Sequence, residues 1–170
     1  MELDLLTKER RSVRAYVEAD VNLEDIEKIV ECAQLAPSWK NSQTGRYYVA
    51  LSKKYQEEVF NCLPNFNQNS SKNAYYIITS FKKGISGGES VEGDLWGSYD
   101  LGLQNAYLLL KAKELGYDTL IMGLRDEGKL RELFSIPEDE IILSVIAIGK
   151  KADEPRFNPR KELNEILVVK

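Results

Sequence analysis

The stretch at residues 94–115 constrains this chain more than any other. Its apolar residues Leu95, Trp96, Tyr99, Leu103, Ala106, Tyr107 and Leu110 recur at helical spacing over a wide arc. A helix of that kind needs cover on much of its circumference. The remaining sequence offers about five strand-like segments, too small a sheet to bury such a helix alone. The pattern therefore predicts α+β architecture with a helical partner surface, and hence a homodimer. Gly116 stands where a helix C-cap belongs.

The other elements follow from caps and breakers. Asn22 is a candidate N-cap, with Asp25 three residues on and Leu23, Ile26, Ile29, Val30 and Ala33 at spacings of three and four. Pro37 ends that helix. A short helix is expected over residues 2–9. Residues 37–45 (PSWKNSQTG) are rich in turn formers and amides, and predict an ordered loop before a strand at 47–51. Ser52 caps a helix running to about residue 63, and the polar NFNQNSS that follows predicts a loop. Residues 75–81 are apolar on both faces and predict a central strand. Residues 82–93 carry four of the 11 glycines and predict a mobile loop. Further strands are expected at 117–122, 141–148 and 166–169, with a helix capped by Asp126 through residue 134 and a polar tail at 151–162.

Composition removes whole classes of function. The chain has 170 residues, 43% hydrophobic and 29% charged, which fits one domain over 1–170. Lys+Arg 23 against Asp+Glu 27 gives a net charge of −4, which argues against nucleic-acid partners and anionic membranes. There is no histidine, so Ser-His-Asp, Cys-His and His-metal chemistry are excluded. Two cysteines, Cys32 and Cys62, cannot close a thiolate zinc site and read as buried thiols in a reducing cytoplasm. No signal-peptide layout opens the chain, and Lys111, Lys113 and Glu114 interrupt its most hydrophobic helix. GxxxxGK[ST] and GxGxxG loops are missing as well, so phosphate recognition falls to side chains. An enzyme so composed needs an organic cofactor to carry its chemistry.

Four groups of residues are candidates for holding one. Arg10, Arg11 and Arg14 with Ser12 concentrate donors at a helix end, which suits a terminal phosphate. The alternative is a solvated cluster paired with Glu9, Glu18 and Asp20. Ser38, Trp39, Asn41, Ser42 and Gln43 offer hydroxyls, amides and an indole to a polar heteroaromatic ring, or else form an ordinary hinge. Ile121, Met122 and Gly123 end a strand where a ring can approach the backbone, or make a plain strand-to-helix turn. Arg156, Arg160 and Lys161 form a second basic patch in the tail, able to close over the same anion or simply to keep the tail solvated.

In order, RRSVR at 10–14, LAPSWKNSQ at 35–43, DLGLQNAYLLLKAKELGYDT at 100–119, LIMG at 120–123 and IPEDEIILSVIAIGK at 136–150 resemble the nitroreductase family of FMN-binding flavoproteins. The resemblance implies an α+β fold with a central, mainly antiparallel sheet flanked by helices, in an intertwined homodimer with FMN at the subunit interface. It assigns Arg10, Arg11, Ser12 and Arg14 to phosphate and ribityl oxygens, with Arg160 and Lys161 completing the phosphate site. Pro37, Ser38, Trp39, Asn41 and Gln43 would come from the partner chain. Ile121, Met122 and Gly123 would lie beside the isoalloxazine, and the C-terminal strand would embrace the other subunit. The implied activity is hydride transfer from NAD(P)H to flavin N5, then electron delivery to a nitroaromatic, quinone or similar small acceptor by a ping-pong mechanism, with no catalytic side chain. A non-catalytic protein holding flavin or another phosphate ligand is the alternative. Trp39 stands where many members have a second serine, and Thr44-Gly45 where they have Pro-Trp, so the aromatic has moved within the loop.

Overall fold

Alternating inward residues on the longest strand organise the molecule. The structure, a computed structural model, describes residues 2–87 and 94–170. Strand β5 (Glu140–Lys151) pairs antiparallel with β3 (Tyr75–Lys82), β4 (Asp118–Met122) and the two-residue β1 (Tyr16–Val17), while β2 (Gly45–Ala50) pairs antiparallel with β3. Ile146 and Ile148 face one side of the sheet, and Val145 and Ala147 the other, as a period of two requires. β3 is central, flanked by β5 and β2 as expected from its two apolar faces.

Helices cover both faces. On one, α2 (Leu23–Gln34) and α5 (Leu95–Glu114) pack Ile26, Ile29, Ala33, Leu108 and Ala112 against Ile77, Ile146 and Ile148. On the other, α3 (Lys53–Asn61), α4 (Asn65–Ser71) and α6 (Glu127–Phe134) frame a cluster of Val59, Cys62, Leu130, Tyr76, Ile78 and Val145. α1 (Leu3–Glu9) lies against α5. The expected caps form: Asn22 Oδ1 accepts from the Asp25 N–H at 2.8 Å and Asp126 Oδ1 from the Lys129 N–H at 3.1 Å.

Several expectations are corrected. NFNQNSS is helix α4, not a loop. Its inward side chains are polar and hydrogen-bonded, Ser71 Oγ donating within the helix to the Asn67 carbonyl at 2.8 Å and Asn67 Nδ2 to the distant Leu124 carbonyl at 2.8 Å, so apolar periodicity is blind to it. Residues 166–169 form no strand in the single chain, because no ladder partner stands beside them, and the fifth strand is β1 instead. Cys62 is buried, with its thiol pushed up chiefly by that burial, but Cys32 is only half-buried. In the expected mobile loop Ser86 is buried and hydrogen-bonded, while residues 88–93 lie outside the described residues.

The apolar arc of α5 turns out to be mostly its outer side. Leu95, Tyr99 and Tyr107 are 66%, 58% and 40% exposed, whereas the inward positions hold Asp100, Leu101, Gln104, Asn105, Leu108 and Ala112. The helix thus has the unmet apolar circumference that its sequence demands. No helix among the described residues is long and apolar enough to cross a membrane.

Candidate functional site

The basic run leaves the end of α1 with extended backbone. The Val13 N–H donates to the Thr119 carbonyl of β4 at 3.0 Å, and Ser12 bridges Thr119 in parallel. Val13 is driven into the core, and alternation then turns Ser12 and Arg14 outward to solvent. Arg10 and Arg11 are half-buried. The C-terminal tail returns to them: the Arg11 guanidinium lies over the Phe157 ring at 5.2 Å. Arg160 comes near enough to Arg10 that burial, then the charges of Arg160 and Arg11, hold the Arg10 guanidinium below its ordinary pKa. Among the described residues, no carboxylate lies within ion-pair distance of Arg10, Arg11, Arg14 or Arg160, so the pairing with Glu9, Glu18 and Asp20 does not occur. This is a cluster of like charges without a counterion.

The loop at 37–43 is held in an unusual backbone. A short 3-10 turn covers Trp39–Asn41, and Lys40, Asn41 and Gln43 adopt φ of 46°, 57° and 48°, in the left-handed region that non-glycine residues rarely enter. Its anchors are polar. The Trp39 N–H donates to Asp100 Oδ2 at 3.0 Å, the Gln43 N–H to Ser38 Oγ at 3.1 Å, and Ser42 Oγ meets Ser86 Oγ at 2.9 Å. Lys40 Nζ sits 4.7 Å from the centre of the Trp39 ring. The exposed side-chain amides of Asn41 and Gln43 have no hydrogen-bond partner among the described residues, and Pro37 is exposed.

At the end of β4, Ile121 is exposed and open space surrounds the Gly123 Cα. The Met122 side chain packs in the core because strand alternation turns it there, which leaves its backbone for a ligand, as the expectation of backbone groups beside the ring requires. The turn that follows is firmly fixed. Arg125 donates to the carbonyls of Gly123 and Ile142, Asn67 holds Leu124, and the Asp126 N–H donates to the Cys62 carbonyl at 2.7 Å.

The structure brings together the basic run, the start of β4, Phe157 and Arg160, whereas Lys161 is exposed and has no hydrogen bond or ion pair with them among the described residues. It does not bring the 37–43 loop to that cluster: no hydrogen bond or ion pair among the described residues joins the two. Sequence reasoning missed Asp100, Ser86, Phe157 and Arg125. Asp100 and Gln104, four apart in an apolar helix, are the one signal that pointed to a polar inner face.

Comparison with known proteins agrees with this geometry. The family described as "Nitroreductase family" matches residues 7–150. A protein of Archaeoglobus fulgidus, provisionally named an NADH dehydrogenase/NAD(P)H nitroreductase, is 31% identical over 88% of this chain and 90% of its own. The FMN reductase [NAD(P)H] of Bacillus subtilis is 27% identical over 89% of this chain and 67% of its own. A solved structure from Exiguobacterium sibiricum, provisionally named a nitroreductase and in complex with FMN, superposes with a TM-score of 0.85 at 24% identity, covering 100% of this chain and 98% of that one. With its antiparallel sheet between two helical layers and its five sequence segments in order, this chain belongs to the nitroreductase family.

Proposed function

We propose that residues 1–170 form one FMN-dependent oxidoreductase domain, assembled as a homodimer in the cytoplasm. The observation that carries this reading is the cluster of Arg10, Arg11 and Arg160, in which burial and then the charges of Arg160 and Arg11 hold Arg10 below its ordinary pKa and no carboxylate among the described residues lies within ion-pair distance. A phosphate dianion is the ligand that relieves such a cluster, since guanidinium forks bind its oxygens directly. The FMN-bound relative from Exiguobacterium sibiricum and the FMN reductase of Bacillus subtilis support the choice of ligand.

Arg10, Arg11 and Arg160 bind the phosphate, Arg14 and Ser12 face the ribityl chain, and Lys161 adds charge beside Arg160. Ile121, Gly123 and the Met122 backbone flank the ring. Pro37, Ser38, Trp39, Asn41 and Gln43 of the second copy roof it and exclude water. The free amides of Asn41 and Gln43 suit a polar heteroaromatic edge. That no hydrogen bond or ion pair among the described residues of one chain joins the loop to the basic run supports this sharing, and so does the exposed apolar side of α5, which a second copy would cover. The chemistry FMN supplies when bound is hydride acceptance from NAD(P)H and electron delivery to a nitroaromatic, quinone or similar small acceptor, in ping-pong alternation. The protein contributes binding, orientation and electrostatics, which a chain without histidine can do.

The test is anaerobic. Protein loaded with FMN should lose its visible flavin absorption on addition of NADH or NADPH and regain it on addition of a quinone or nitroaromatic. A flavin that binds but is bleached by neither nicotinamide would overturn the oxidoreductase assignment.

A further inference from the structure

Resting on the flavin reading, we propose that Asp100 is a positioning residue that latches the 37–43 loop and so sets the roof of the flavin site. Asp100 is 2% exposed on the inner side of α5, among Leu101, Leu108 and the sheet. A buried carboxylate is costly and needs partners. Both of its bonds are spent on loops distant in sequence. Oδ2 accepts from the Trp39 N–H at 3.0 Å and from Ser86 Oγ at 2.8 Å, and Ser86 Oγ also meets Ser42 Oγ at 2.9 Å. The carboxylate thus grips the loop directly at Trp39 and, through Ser86, at Ser42 near its C-terminal end.

The loop has reason to need a latch. Lys40, Asn41 and Gln43 occupy left-handed backbone that a free segment would leave, so the surroundings must over-determine it. Gln104, one helical turn beyond Asp100, closes the far end. A Cβ at Gly45 would stand 1.9 Å from Gln104 Oε1, so any side chain there would have to displace the Gln104 amide. Asp100 touches no ligand in this arrangement. It acts through Trp39 and Ser42, which fix the direction of Asn41 between them and of Gln43 beside Ser42.

The experiment compares wild type, Asp100→Ala and Asp100→Asn in the full chain. Asparagine can keep an acceptor oxygen in place of Oδ2, whereas alanine keeps none. Without ligand, hydrogen exchange at the Trp39 amide should speed by about tenfold or more in Asp100→Ala and stay near wild type in Asp100→Asn, with α5 still protected. Unchanged exchange in Asp100→Ala overturns the latch.

Flavin titration supplies the readout that general damage would not give. Asp100→Ala should weaken FMN and riboflavin by the same factor, about tenfold, leaving their affinity ratio intact because the arginines are untouched. Asp100→Asn should restore both. A loop that opens without loss of flavin affinity, or a loss confined to FMN, overturns the positioning role. If Asp100→Ala does not fold, Ser86→Ala takes its place, with faster exchange across residues 42–44 expected and unchanged exchange refuting the latch. If wild type takes up no FMN, the flavin reading fails, while exchange alone still decides whether Asp100 holds the loop.

Discussion

Replacing Arg10 with alanine should move two properties in opposite senses. Arg10 is half-buried beside Arg11 and Arg160 with no carboxylate in reach, so in the ligand-free protein its charge is opposed rather than supported. Removing it relieves a repulsion of the order of a few tenths of a kcal/mol, partly offset by the loss of its packed methylene stem. Ligand-free stability should therefore stay within about 0.5 kcal/mol of wild type or rise slightly. Binding should behave otherwise. A hydrogen bond from a guanidinium to a phosphate is worth about 1.5–3 kcal/mol, so FMN should bind about 10–100-fold more weakly, with Arg11 and Arg160 retaining the rest. Thermal unfolding of the ligand-free protein and fluorescence titration with FMN measure the two effects on one preparation. Raising salt should repeat the pattern in wild type, weakening FMN while easing the repulsion. An FMN affinity within about twofold of wild type, or a destabilisation above about 1 kcal/mol without ligand, would refute the phosphate role and make Arg10 a structural residue.

Three further outcomes follow from other parts of the fold. Sedimentation should give twice the 19.4 kDa chain mass, and Tyr99→Glu, placing a charge on the exposed apolar side of α5, should yield monomer and abolish flavin uptake; a dimer that persists contradicts α5 as the covered face. Gly97→Ala should destabilise by about 1–3 kcal/mol, because a Cβ there would meet the buried Phe81 ring at 2.4 Å; an unchanged melting temperature contradicts that packing. The Tyr117 hydroxyl donates to Asp25 Oδ2 at 2.7 Å, which holds the Asp25 carboxyl below the usual range, while burial and then this bond push Tyr117 up to about 12. The unfolded chain thus takes up the Asp25 proton first on acidification and loses the Tyr117 proton first on alkalinisation. Stability should fall as pH drops below about 4 and again as it rises from about 10 toward 12, and Tyr117→Phe should flatten both limbs. Identical pH profiles for the two proteins would dismiss the pair.

Much of the fold was legible because caps and apolar periods agree with it. Asn22 and Asp126 cap the helices they were expected to cap, and the two-faced apolar run of β3 does sit mid-sheet. Helix α4 escaped notice since its buried residues are Asn67, Ser70 and Ser71, whose hydroxyls bond back within the helix while the Asn67 amide reaches Leu124. Residues 166–169 carry a strand's composition, but a strand needs a neighbour and the single chain offers none. The apolar pattern of α5 signalled a helix needing wide cover without telling which side faces inward. That side is set by Asp100 and Gln104, whose partners lie far off in sequence, in the 37–43 loop and on strand β2. At the candidate site, the basic run was visible as a run of charge, whereas its isolation from carboxylates and its meeting with Arg160 are tertiary facts. Strand alternation sends the Met122 side chain into the core, a tertiary fact that the motif position alone did not give.

The central claim is that guanidinium groups hold a flavin by its phosphate. It is tested most directly by titrating the purified protein with FMN and, separately, with riboflavin, which differs only in lacking that phosphate. FMN should bind one per chain and about 100-fold more tightly than riboflavin, matching about two charge-assisted hydrogen bonds. Equal affinities, or no uptake of FMN at all, would contradict it.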